Sequence, residues 1–119
     1  MTFDFFIDGY FHDHNYRLVL NDDILSISDY AAIPVPEHDK KISIYSNQDW
    51  EILLEFLKQC KWKRRYESEI LDGTQWNLKI MGNGVRINSY GSNAYPEDFK
   101  DFLTLLNKVM KEVGVNVSI

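Results

Sequence analysis

Two histidines flank an aspartate in the segment Phe11-His12-Asp13-His14, and no other short stretch of the 119-residue chain offers as clear a capacity for chemistry. On a strand His12 and His14 point to one face, and two imidazoles on one face bind zinc or another divalent ion. Asp8 offers a further carboxylate. The third histidine, His38, lies 24 residues beyond His14, and the segment runs from Gly9 to Asn15. A polar hairpin loop is therefore the competing reading. Nucleophilic catalysis needs an activated thiol or hydroxyl. Cys60 follows Phe56 and Leu57 near the end of an amphipathic stretch, which reads as a buried, inert thiol. The pattern G-x-S-x-G is absent, and Gly82-Asn83-Gly84 lacks the Lys-Ser/Thr of a phosphate loop, so it reads as a hairpin turn.

Charge supplies the second set of candidates. Residues 1–57 hold 3 Lys/Arg against 11 Asp/Glu, and residues 58–119 hold 10 against 7, so a net −8 and a net +3 sum to −5. Asp22, Asp23, Asp29, Glu37 and Asp39 are the acidic residues predicted to face a partner, and such a field steers a basic protein towards it. Lys58, Lys61, Lys63, Arg64 and Arg65 cluster around Trp62 and Tyr66, the interleaving that grips single strands. Strand alternation splits that charge between two faces, and the chain lacks a general basic footprint, so nucleic acid is disfavoured. Trp76 alternates in phase with Leu78 and Ile80 and reads as core; Asn93 and Tyr95 fall in a loop and stay as candidate contact residues.

The elements that position these residues follow from composition and period. Hydrophobic residues make up 45% and aromatics 14%, enough for one compact domain over 1–119. No apolar run reaches the ~20 residues of a membrane helix. Asp4 and Asp8 interrupt the apolar N-terminus, which has no basic leader and no cleavage site, so no signal peptide is expected. One cysteine forbids an intrachain disulfide, and the cytoplasm is the expected location.

Phe3, Phe5 and Ile7 alternate with Asp4, Phe6 and Asp8, a strand pattern breached only at Phe6. Tyr16 to Asn21 and Ile24 to Ser28 predict a hairpin turning at Asp22-Asp23. Pro34 and Pro36 place residues 31–41 in a loop or extended edge, and 42–45 in a short strand. Ser46 and Asp49 resemble a capping box for a helix carrying Trp50, Leu53, Leu54 and Leu57. Residues 62–71 return to strand, and Asp72-Gly73 predicts a hairpin into the strand holding Trp76. Val85, Ile87 and Ser89 alternate next. Ser92 or Asn93 is the expected cap, with Pro96 in the first turn, of a helix bearing Phe99, Phe102, Leu103, Leu106 and Val109. Gly114 ends it, and Val115 to Ile119 reads as a final short strand. The expectation is an α+β domain of order ββββ-α-βββ-α: a mainly antiparallel sheet with two amphipathic helices on one face.

The stretch from Asp72 to Phe99, DGTQWNLKIMGNGVRINSYGSNAYPEDF, resembles a family of small bacterial proteins of Gram-positive type. They carry a D-G-T-x-W-x-L-x-I strand and a G-S-N-A-Y-P-x-x-F helix start. The resemblance covers about a quarter of the chain, with an extension back to Ser46 through D-W-x-x-L-L-x-F-L. It implies a fold and no activity, so it carries no catalytic residues over. Small size, the charge split and the lack of a convincing catalytic constellation predict a non-enzymatic interaction module, of immunity or inhibitor type, with a protein partner and no cofactor. The alternative is a small-ligand or metal site at His12, Asp13 and His14.

Overall fold

Seven strands form one sheet in the order β4-β3-β2-β1-β6-β7-β5. The computed structural model describes residues 1–9, 15–30, 38–68 and 74–119. The strands are β1 (Thr2–Gly9), β2 (Asn15–Asn21), β3 (Ile24–Tyr30), β4 (His38–Ser43), β5 (Arg65–Glu67), β6 (Thr74–Gly82) and β7 (Val85–Ser92). The helices are α1 (Gln48–Lys58) and α2 (Phe99–Val109), followed by a 3-10 turn at Lys111–Val113. The element order is the one the sequence predicts, an α+β domain with a mainly antiparallel sheet.

The first four strands run as a meander, with β1 at the sheet's centre. There β1 meets β6 in a seam of eight register pairs, from Thr2↔Met81 to Gly9↔Thr74. Alternation sends Phe3, Phe5, Ile7, Leu18, Leu25, Ile27, Ile42, Trp76, Leu78 and Ile80 to one face, where they are buried. The helices cover that face. The Phe3 and Trp50 rings meet edge-on at 5.2 Å, and those of Phe5 and Phe102 at 5.2 Å. The molecule's short dimension of 20 Å fits one sheet and one helical layer.

Local chemistry explains most boundaries. At the β6–β7 turn, Asn83 and Gly84 have φ of 52° and 81°, the double left-handed turn that matches strand twist and that Asn-Gly favours. The cap of α1 lies one residue later than the sequence suggests. Asn47 Oδ1 accepts from Trp50 N at 3.0 Å, while Ser46 takes φ 53° to turn the chain into position.

Three expectations are corrected. Among the described residues the segment after α1 is strand over Arg65–Glu67, and β5 pairs in parallel with β7 instead of forming a hairpin with β6. Both edges of β6 are already taken by β1 and β7, so β5 and β6 are not neighbours in the sheet; the predicted Asp72-Gly73 turn lies outside the described residues. Pro96 precedes α2 rather than opening it; its carbonyl accepts from Phe99 N at 3.1 Å, and Asp98 is the N-cap position. Val115 to Ile119 is not a strand. Asn107 holds it instead, donating to the Val117 carbonyl at 2.9 Å and accepting from Val117 N at 2.8 Å, which leaves Val117 buried.

Candidate interaction surface

The second face of the sheet carries the other half of each strand's alternation, and among the described residues no element covers it. Its central row runs Asp39, Ser28, Arg17, Phe6, Asn77, Tyr90, Arg65 across all seven strands. The next row runs Lys41, Ser26, Val19, Asp4, Lys79, Asn88. Phe6, the breach in the first strand's alternation, therefore stands half-buried at the middle of the open face. Tyr90 is 41% exposed and Met81 50% exposed on the same side.

The charges on this face are mixed and partly internally matched. Arg17 donates to both Asp4 oxygens, Nη2 to Oδ2 at 2.9 Å and Nε to Oδ1 at 3.3 Å. The hydrogen bond and charge of Asp4 hold the Arg17 guanidinium further up than usual, so it stays cationic. Arg65 pairs with Glu67. These are exposed pairs of small energetic weight, and they orient the guanidinium planes more than they stabilise the fold.

The acidic residues singled out in the sequence are spread over three places. Asp22 and Asp23 form the exposed β2–β3 turn, with Asp22 at φ 56° and the Asp23 carbonyl accepting from Ile44 N at 2.8 Å. Asp39 lies on the open face, across from Ser28. Asp29 is in phase with Leu25 and Ile27 and so points to the helix side. There it sits opposite Tyr16 and lines a cavity of about 110 Å³ with Ile27, Lys40 and Val115. Burial first, and then the Asp29 charge, push the Tyr16 phenol up. Glu37 lies outside the described residues.

Asn93 and Tyr95 belong to the scaffold side. Asn93, at φ 49°, donates its backbone N–H to the Thr74 carbonyl at 2.8 Å and so bends the chain out of β7. Half-buried Tyr95 stacks on Trp76 at 6.5 Å and 16° and meets the Phe99 ring at 5.0 Å. His12, Asp13 and His14 lie outside the described residues. Among the described residues, no group of three His, Cys, Asp or Glu side chains is placed to hold a metal.

One polar cluster escaped the sequence reading. Asp98 accepts from the Trp62 indole at 2.7 Å through Oδ1, and Cys60 Sγ stands 3.4 Å from its Oδ2. The same sulfur lies 3.4 Å from the Phe56 carbonyl. Burial, reinforced by Asp98, pushes the thiol up to about 12. Maleimide should therefore label Cys60 slowly at pH 8, and Asp98→Asn should speed labelling by removing the neighbouring charge while keeping an acceptor for Trp62. Equal rates in the two proteins would show that Asp98 does not govern the thiol. The sign for stability follows: an unfolded thiol ionises near 9 and the folded one near 12, so this group makes stability fall as pH rises through that window.

No helix among the described residues is long and apolar enough to cross a membrane. No family model matches the chain, and no curated protein or solved structure matches it either.

Proposed function

We propose that the chain is a non-enzymatic, cytoplasmic protein-binding module of immunity or inhibitor type, whose partner seats on the open face of the sheet. The observation that carries this reading is the half-buried Phe6 at the centre of a face that no described element covers, flanked by Arg17 and Asn77, with Tyr90 and Met81 exposed elsewhere on the same face. Aromatic, methionine and arginine side chains are the types enriched in protein interfaces. Seven strands spaced by about 4.8 Å, read over about six residues each, present on the order of 600 Å². A standard-size complex buries about 800 Å² on each partner, so the open face supplies most of that contact and its flanking turns the rest. Charges of both signs on the face suit a polar, non-obligate interface. The net −5 of the chain and the exposed Asp22-Asp23 turn favour a basic partner by speeding its approach.

Native capture at low salt, run in parallel with wild type and Phe6→Arg, tests the reading. One dominant basic partner should bind the wild type and lose about tenfold or more of its affinity for Phe6→Arg, the usual cost of breaking a central anchor. Asp22→Lys with Asp23→Lys should slow association and leave dissociation unchanged. A partner indifferent to Phe6→Arg would remove the open face from the proposal, and the absence of any partner would remove the function.

A further inference from the structure

We infer that β4 is a self-pairing edge, through which two copies of this chain join their sheets in a closed antiparallel pair. This inference stands on the edge of the sheet and does not depend on the reading of its open face. β4 is the end strand and, among the described strands, pairs with β3 alone. The bond from Ile44 N to the Asp23 carbonyl fixes which of its backbone groups point inward. Residues 44, 42, 40 and 38 exchange hydrogen bonds with β3, because such pairs alternate along an antiparallel ladder. The N–H and C=O groups of Asp39, Lys41 and Ser43 then point away from the sheet. Among the described residues, no backbone group meets them.

The side chains select the register. Asp39 and Lys41 both stand on the open-face side and are exposed. If Asp39 of one copy pairs with Lys41 of the other, two-fold symmetry supplies the reciprocal pair. Opposite charges then face each other twice across the junction, and each pair exchanges two N–H···O bonds. The neighbouring register, Lys41 against Lys41, sets like charges directly opposite and is disfavoured. Lysines commonly guard a sheet edge against such pairing. Here Lys41 has its complement two residues away on the same strand. This register also sets Lys40 opposite its own copy on the helix side, and that like-charge contact is eased because each Lys40 ammonium turns back to its own Val113 carbonyl at 2.7 Å.

Sedimentation velocity over a concentration series at low salt reads the association directly. Wild type should shift from monomer to dimer as concentration rises. Asp39→Lys should weaken the dimer about tenfold, since it opposes two lysine pairs. Asp39→Lys combined with Lys41→Asp should restore it, because the swapped charges again match. Lys41→Pro should abolish it while leaving the β3–β4 ladder intact, because the deleted N–H points outward. Amide exchange at Asp39 and Lys41 should slow as concentration rises. A wild type that stays monomeric, or a double swap that fails to recover the dimer, overturns the inference. So does a dimer lost in Phe6→Arg, which would assign self-association to the open face and not to the edge.

Discussion

Gly91→Ala should cost about 4 kcal/mol, the sum of an overpacking term of about 1–3 kcal/mol and the loss of a buried hydrogen bond worth about 1–3 kcal/mol. Gly91 lies within β7 on the core side, opposite Trp76. A Cβ there would stand 2.7 Å from Trp76 Cε2, and it would press still harder on the indole nitrogen and the Ala94 carbonyl. Those two atoms are donor and acceptor of one hydrogen bond at 2.9 Å. The methyl would therefore strike the bond itself, and neither partner is the loose end of a flexible side chain. A domain of this size has about 5–15 kcal/mol in total, so much of its stability is at stake. Urea denaturation followed by tryptophan fluorescence gives the number. Gly114→Ala is the control: at φ 72° it bears only the backbone strain, about 1–2 kcal/mol, with nothing within 4 Å to strike. Similar midpoints for the two variants would refute the collision.

Phe102→Ala should cost about 3–5 kcal/mol, the range for removing a fully buried aromatic ring. Phe102 is 0% exposed. Its ring meets Phe5 at 5.2 Å, Trp62 at 5.5 Å and Phe99 at 5.8 Å. It thus ties α2 to the central strand and to the segment that follows α1. Phe102→Leu keeps most of the volume and should cost well under half as much. If alanine and leucine are equally damaging, the loss comes from the ring geometry and not from the cavity. Near-ultraviolet circular dichroism would show that directly, since Trp62 and Trp76 are 5.8 Å apart and edge-on in the same cluster.

Where a property was local, residue order displayed it. The periods of α1 and α2, the Asn-Gly turn and the alternation of β1, β2 and β6 all appear in the structure where their residues place them. What depended on a distant strand did not show. The Asp72-Gly73 pair suits a hairpin, but which strand borders β6 is decided by β1, more than sixty residues away. Val115 and Val117 alternate like a strand, yet the Val117 backbone is taken by the Asn107 side chain. Parity already separated Asp29 from Asp39: the first keeps step with Leu25 and Ile27, the second falls on the other side of its strand. Missing was the register that sets the two strands together. The one irregularity in β1, Phe6, was the visible trace of the open face. That no described element covers the face follows from how distant strands and helices assemble, which no short stretch of sequence displays.

The seam between β1 and β6 also orders events during synthesis. The four-strand meander leaves the ribosome before the elements that pack on it. Its apolar side, with Phe5, Leu18, Leu25, Ile27 and Ile42, has nothing to lie against until α1, β6 and α2 have been made. From the end of β4 at Ser43 to the end of α2 at Val109 the nascent chain therefore carries a hydrophobic sheet surface that is only partly covered. A holding chaperone, or slow decoding after β4, would act on that interval, and the yield of folded protein would be decided there.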